Sequence, residues 1–298
     1  MTLFDGGAVD TEAKRRALCD RLRGLKRLMV AYSGGTDSAY LAYASHQVLG
    51  NEMLAVIADS PSLARSDLKS AVEFAEKQGI PIRVIETHEL DNPAYVRNES
   101  DRCFRCKDEL FDVMSRLGES INFSAIAYGM NIDDLGDFRP GQQAAAKHRV
   151  LAPLAEAGLT KDEIRLLARN EGLAVWDKPA SACLSSRVAY GLPVTHETLE
   201  RIEKAEAFLF AMGLRQFRVR HHGELARIEI SRKEIESFLS LTLFEQVSAA
   251  LKRLGYKFVT LDMEGYRSGS MNALLPVSQI GVIGSINSDE APAHGVFE

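Results

Sequence analysis

Leu18, Leu22 and Leu25 recur at helical spacing, and the run Leu28-Met-Val-Ala-Tyr32 after them is short, continuous and apolar, as in a buried strand. Ala39, Tyr40, Tyr43, Ala44 and Val48 return to a helical stripe. Met53 to Ala58 reads as a second strand. A helix from about Ser66 carries Leu68, Ala71, Val72 and Ala75 and stops near Gly79, and Pro81 to Glu86 reads as a third strand. This alternation predicts a parallel sheet with right-handed crossovers. Thr87 to Cys106 is polar, holds Pro93 and keeps no period, which predicts a loop over a site. Leu110, Phe111, Met114 and Leu117 then mark a helix, and Phe123 to Tyr128 a fourth strand. Thr160-Lys-Asp-Glu163 is a capping box that opens a helix ending near Gly172.

Pro179, Gly191 and Pro193 interrupt the pattern between residues 174 and 195, where a domain boundary is expected. Beyond it, Thr195 to Met212 is helical through Leu199, Ile202, Ala205 and Leu209. Phe217 and Val219 alternate with Arg218 and Arg220 as a strand, and Ala226, Ile228 and Ile230 continue a second one. Ser231 and Glu234 are expected to cap the next helix, and Phe258 to Leu261 form a last strand. The expected organisation is an α/β domain over 12–178, a smaller α/β domain over 190–280, a mobile arm of about a dozen residues in front, and a disordered tail over 281–298.

The 298 residues suffice for two cores, and 46% hydrophobic with 26% charged residues is the balance of a soluble chain. No run approaches the ~18 apolar residues of a membrane span, and the first residues lack the basic and apolar regions of a signal peptide, so a cytoplasmic protein is expected. A formal charge of −5 argues against a long nucleic acid as partner. Four cysteines in such a chain point to metal or redox chemistry before disulfides.

The stretch Ser33-Gly34-Gly35-Thr36-Asp37-Ser38 lies between the first strand and its helix. The two glycines let the backbone approach a ligand, and Ser33, Thr36, Ser38 and the free N–H groups of the helix start can donate to phosphate. There is no Gly-Lys-Ser/Thr, so the loop is not of the Walker type and has no lysine of its own for the outer phosphates. Asp37 suits a magnesium ion between phosphates and a carboxylate. Asp59 and Ser60, at the end of the second strand, and Gly129, Asn131 and Asp134, at the end of the fourth, are further candidates for nucleotide contacts. Asp137 and Arg139 extend the last of these loops.

Cys103 and Cys106 form a CxxC, and Cys183 lies far along the chain. Three thiolates can hold a four-iron cluster with one iron left open; a structural zinc or buried free thiols are the alternatives. Cys19 sits on the apolar side of the first helix and reads as core. Arg218 and Arg220, two apart on a strand, share one face and suit a phosphomonoester or carboxylate, unless they only pair with nearby glutamates on a solvated face.

The six-residue loop resembles that of the ATP pyrophosphatases, the PP-loop superfamily, whose fold is the parallel sheet of the adenine-nucleotide alpha hydrolases. Four further stretches carry a closer resemblance: Asp101-Arg-Cys-Phe-Arg-Cys-Lys107, Gly129 to Gly141, Trp176 to Arg187, and Arg218-Val-Arg220 with Ala226-Arg-Ile-Glu-Ile230. Together they resemble the LarE family, ATP-dependent sulfur-insertion enzymes of nickel-pincer nucleotide cofactor biosynthesis. The resemblance implies that ATP and magnesium activate a carboxylate of pyridinium-3,5-biscarboxylic acid mononucleotide as an acyl adenylate, and that sulfur displaces AMP. In one version of the family the cysteine at the Cys183 position gives up its own sulfur. In the other, three cysteines hold a 4Fe-4S cluster, and Cys103, Cys106 and Cys183 match that type. The resemblance further implies that Arg218 and Arg220 hold the substrate phosphate, that Arg187 neutralises charge beside Cys183, and that Glu200 or Glu229 binds a second metal or substrate. It gives the C-terminal domain substrate binding and assembly of a homo-oligomer, such as a hexamer, and leaves the sulfide donor open. Met130 departs from the small residue usual there. An enzyme that 2-thiolates a tRNA base is the alternative, and it would call for a basic surface.

Overall fold

The computed structural model describes residues 6–123, 125–135, 140–179, 182–267 and 270–271. Helix α1 (Gly6–Arg23) leads into β1 (Leu28–Ala31), α2 (Thr36–Leu49), β2 (Met53–Asp59), α3 (Arg65–Lys77) and β3 (Ile82–Glu86). The short α4 (Pro93–Val96) and the long α5 (Arg102–Ile121) precede β4 (Ala125–Tyr128), followed by α6 (Pro140–Lys147), α7 (Pro153–Glu156) and α8 (Lys161–Asn170). The C-terminal part comprises α9 (His196–Ala211), β5 (Phe217–His222), β6 (Leu225–Ile230), α10 (Ile235–Phe238), α11 (Leu241–Arg253) and β7 (Phe258–Leu261).

The first four strands make one parallel sheet in the order β3-β2-β1-β4. Side chains alternate across a strand, so Leu28 and Val30 of β1 enter one core and Met29 the other. The first core packs α1, α2, α3 and α8 against the sheet, and the second packs α5 and α6, through Phe111, Met114, Ala144 and Ala145, against the opposite face. Burial on both faces is why these strands read as continuous apolar runs. The second sheet, β5-β6-β7, is mixed: β5 and β6 are antiparallel, and β6 and β7 parallel. Its apolar face, with Phe217, Val219, Ala226, Ile228 and Ile230, packs against α9 and α11. A junction cluster of Tyr95, Leu184, Val188, Val194, Leu199 and Ile202 lies between the two units.

Three local expectations are corrected. The first helix begins at Gly6, so half of the expected arm is helical. Thr87 to Cys106 is not one loop: a 3-10 turn (Glu89–Asp91), α4 and the start of α5 occupy it, with Asn92 accepting from Ala94 N and Pro93 in the first helical turn. The missing period reflects short elements, each too brief to show a stripe. The helix expected after Ser231 is two, α10 and α11, and Glu234 does not cap the first; its carboxylate accepts from Arg215 N and Gln216 N, each at 2.8 Å. Asp137, Arg139 and the stretch 281–298 lie outside the described residues.

Candidate active site

The strand order turns at β1: the chain runs outward through β2 and β3 on one side and returns to β4 on the other. The crevice beyond the ends of β1 and β4 is therefore a topological switch point, where open parallel sheets receive ligands. A cleft of about 510 Å³ opens there, lined by Tyr32, Ser33, Gly35, Asp37 and Ser38 on one wall and by Tyr128 to Asn131 and Asp134 on the other. The loop is shaped by its own hydroxyls. Ser33 N donates to Ser38 Oγ (3.1 Å), and Ser38 Oγ lies 3.0 Å from Ser33 Oγ and donates to Gly35 O (3.1 Å). Gly34 has φ +72°, and a β carbon on it would lie 2.6 Å from Ala71 Cβ. A β carbon on Gly129 would lie 2.7 Å from Ser38 N, so the two loops touch through backbone. No side chain caps α2 at Gly35, which leaves its first N–H groups available to an anion. Thr36 serves differently from expectation: its buried hydroxyl donates to Val175 O (2.8 Å) and pins the loop from behind.

Asp37 projects into the cleft. One carboxylate oxygen meets Lys161 Nζ, while Oδ1 is buried and without a partner. Burial raises the Asp37 pKa, and Lys161 opposes the rise. An orphaned buried carboxylate oxygen beside a phosphate cradle fits a magnesium ion. Lys161 comes from the first turn of α8, and Lys178 Nζ reaches Gly34 O (3.1 Å) and Asp67 (3.2 Å). The loop without a lysine of its own is thus attended by lysines from distant segments, a feature with no local signal in the sequence. Asn131 and Asp134 line the cleft while capping their own 3-10 turn: Asn131 Oδ1 accepts from Asp133 N (2.9 Å) and Asp134 Oδ2 from Asn131 N (3.2 Å). Met130 also lines it, and its sulfur accepts from the Tyr128 hydroxyl at 2.8 Å. Asp59 and Ser60 do not line it. Asp59 pairs with Arg65 and Ser60 donates to buried Glu89, because β2 lies on the far side of β1 from the crevice.

Cys103 and Cys106 stand on the first turns of α5, three apart and so on one helix face. Cys183 immediately precedes the 3-10 turn Leu184–Arg187. Cys103 and Cys183 are exposed, whereas Cys106 is half-buried against the junction cluster. Burial, Glu89, Cys183 and Cys103 raise the Cys106 thiol well above the usual range. Among the described residues, these three cysteines included, no group of three or more His, Cys, Asp or Glu side chains is placed to hold a metal ion. The next turns of α5 carry Lys107, Leu110 and Phe111, which line the nucleotide cleft, so one helix serves both places.

The Cys183 turn is held by polar contacts, some from its own Arg187 and the rest long-range. Arg187, 3% exposed, donates through Nη1 to Ala182 O (2.5 Å) and Cys183 O (3.0 Å) and pairs with Glu206 (3.0 Å). Arg102 donates to Ser185 O (2.8 Å), and Arg220 to Ser186 O (3.1 Å). The hydroxyls of Ser62, Tyr95 and Ser185 close a buried triangle with sides of 2.6, 2.6 and 2.7 Å. Asn98 Nδ2 donates to Ala189 O (2.8 Å) and Leu192 O (3.0 Å), fixing the chain as it leaves the turn. None of Arg102, Asn98, Ser62, Tyr95 or Ser185 was marked by sequence; only the neighbourhood of Arg102 to Cys103 hinted at one of them.

Arg218 and Arg220 share one face of β5, as their spacing predicts. Arg218 stacks 5.1 Å from the Tyr266 ring centroid, and burial, with Arg187 beside it, lowers its pKa. Arg220 is committed to Glu229 (2.9 Å), Ser186 O and Ser270 Oγ (3.1 Å). Glu229 is fully buried between Arg220 and Arg227, while Glu200 is on the exposed face of α9, paired with Lys204 at 2.6 Å.

Comparison with known proteins places these features in a lineage. Residues 19–112 match the NAD synthase family, the half-sheet that carries the phosphate loop. An uncharacterized protein of Synechocystis sp. is 40% identical over 264 residues, 89% of this chain and 98% of its own. The pyridinium-3,5-bisthiocarboxylic acid mononucleotide synthase of Lactiplantibacillus plantarum is 32% identical over 268 residues, 90% of this chain and 96% of its own. A glutamine-hydrolyzing GMP synthase chain of Methanocaldococcus jannaschii is 28% identical over 160 residues, about half of each chain, so likeness to that enzyme stops short of the full architecture. Likeness that spans both sheets and the junction between them makes this chain a member of the LarE family of PP-loop proteins.

Proposed function

We propose that the protein is an ATP-dependent sulfurtransferase that converts a carboxylate of pyridinium-3,5-biscarboxylic acid mononucleotide into a thiocarboxylate. The observation that carries the reading is α5, whose successive turns bear Cys103 and Cys106 and then Lys107, Leu110 and Phe111 of the nucleotide cleft. The α2 N-terminus and the Ser33–Ser38 loop cradle the pyrophosphate end of ATP. Asp37 Oδ1 would hold magnesium, and Lys161 is released from Asp37 toward the phosphates. A substrate carboxylate oxygen bonds to the α phosphorus as the bond to pyrophosphate breaks. A sulfur nucleophile then attacks the acyl carbon, and AMP leaves with that oxygen. Arg218, with Arg220 beside it, orients the substrate phosphate on the polar face of β5, and such positioning is worth ~7 kcal/mol or more of barrier.

Cys103, Cys106 and Cys183 would hold a 4Fe-4S cluster. Two cysteines on one face of α5 and a third, exposed, just before the Leu184–Arg187 turn are the three thiolates such a cluster needs. Such a cluster supplies an iron without a protein ligand, at which a sulfide can be presented. The test is anaerobic turnover with ATP, sulfide and the biscarboxylated nucleotide. Pyrophosphate and AMP should appear in step with a product heavier by the oxygen-for-sulfur exchange. Pyrophosphate release that ignores the pyridinium nucleotide would overturn the substrate assignment.

A further inference from the structure

Lys161 and Lys178 both attend the phosphate loop, but Lys161 lines the nucleotide cleft and Lys178 does not. Lys178 approaches from behind: its ammonium donates to Gly34 O (3.1 Å) and pairs with Asp67 Oδ1 (3.2 Å) in the first turn of α3. The carbonyl it grips belongs to the peptide that joins Gly34 to Gly35. A peptide between two glycines meets no β carbon when it turns over, so sterics alone do not set its direction. The neighbouring peptides are fixed from within the loop. Gly35 O accepts from Ala39 N (2.9 Å) and Ser38 Oγ (3.1 Å), and Ser33 N donates to Ser38 Oγ (3.1 Å). Among the described residues, the bond from Lys178 is the only hydrogen bond the Gly34–Gly35 peptide makes. The C=O and N–H of a trans peptide point in opposite directions, so a carbonyl held toward Lys178 turns the Gly35 N–H away from it. Gly34 is buried against Ala71 of α3, whereas Gly35 lines the cleft.

We infer that Lys178 is a positioning residue of the phosphate loop: it holds the Gly34–Gly35 peptide with its N–H turned to the pyrophosphate end of the nucleotide, without touching the nucleotide itself. The inference rests on the ATP-binding reading above. Turned over, the same peptide would face the anion with its carbonyl oxygen. An ammonium on the carbonyl also polarises the peptide and strengthens the N–H as a donor. The lysine is not needed to dock its own segment, because Thr36 Oγ1 donates to Val175 O (2.8 Å) independently of it.

The probe is magnesium pyrophosphate, titrated by calorimetry and by amide NMR into full-length protein whose glycines carry an isotopic nitrogen label. In the wild type, pyrophosphate should bind and move the Gly35 amide proton downfield; the peak is identified by its loss in Gly35→Ala. Lys178→Met should bind pyrophosphate about tenfold more weakly or more, the scale of losing a hydrogen bond to a charged group, and its Gly35 shift at saturation should shrink. Lys178→Arg keeps both charge and donor, so it should recover most of the affinity and of the shift. Wild-type pyrophosphate affinity in Lys178→Met would overturn the inference even where the melting temperature falls, because the lysine would then only fasten the segment ahead of Cys183. Weaker binding with the full Gly35 shift at saturation would also overturn it, since the lysine would then act through charge alone. If Lys178→Met fails to fold, Lys178→Gln, neutral and shorter, takes its place with the same expectations and the same overturning results. A wild-type chain that binds neither pyrophosphate nor ATP would instead overturn the nucleotide reading, and this inference with it.

Discussion

The nucleotide cleft is shaped by backbone, and the Cys183 turn by side chains. In the cleft, two glycines let loops meet at distances no β carbon permits, and helix N–H groups face the ligand. At the turn, Arg187, Arg102 and Arg220 gather four carbonyls, and Ser62 and Tyr95 hold Ser185; all of these but Arg187 come from elsewhere in the chain. A backbone-built site is set once the local fold forms. A side-chain-built turn depends on partners that arrive from both units, so it is the more fragile of the two and the better placed to sense how those units meet.

The sharpest way to break the contrast is Arg187→Met, which strips Glu206 of its partner and frees the Ala182 and Cys183 carbonyls. A loss of about 3–5 kcal/mol is expected in denaturant unfolding, as for other broken buried ion pairs. Asp37→Asn acts on the cleft: pyrophosphate release should fall by roughly 10²–10³, the scale of removing one preorganised charge at a reacting centre, with the melting temperature held or raised. Acid tests the C-terminal core. Burial pushes His221, stacked on Tyr256, down to about 4 from 6.5, so the unfolded chain takes up a proton that the folded chain refuses. Stability should therefore decline as pH falls from about 6.5 to 4, by about 3 kcal/mol from this residue, and His221→Phe should flatten that decline in urea melts. Gly129→Ala drives a β carbon to within 2.7 Å of Ser38 N. It should cost about 1–3 kcal/mol of stability, read in denaturant unfolding. The smallest effect belongs to Tyr95→Phe, which opens the hydroxyl triangle for about 1 kcal/mol in thermal melts.

The first sheet was legible because its strands are buried on both faces and its helices carry regular stripes, and the loop Ser33–Ser38 announced an anion cradle through glycine, hydroxyl and helix-start chemistry that is contiguous in the chain. Asp59 and Ser60 lie outside the cleft at β1 and β4, a placement set by strand order, which is a tertiary fact. Lys161 and Lys178 were invisible for the same reason: the phosphate loop borrows cations from more than a hundred residues away. The spacing of Arg218 and Arg220 gave their shared face correctly, but not that Arg220 is spent on Glu229 and Ser186. Short elements such as α4 and the Leu184–Arg187 turn have no period to read, and they carry the junction.

The central claim is that sulfur is delivered from a centre the three cysteines share, not cut from Cys183 itself. Intact-mass measurement of the anaerobically purified protein after many turnovers tests it directly. An unchanged chain mass, with several equivalents of thiocarboxylated product per chain, is the predicted result. A loss of ~34 Da localised to Cys183, with product stopping at one equivalent or less, would contradict it.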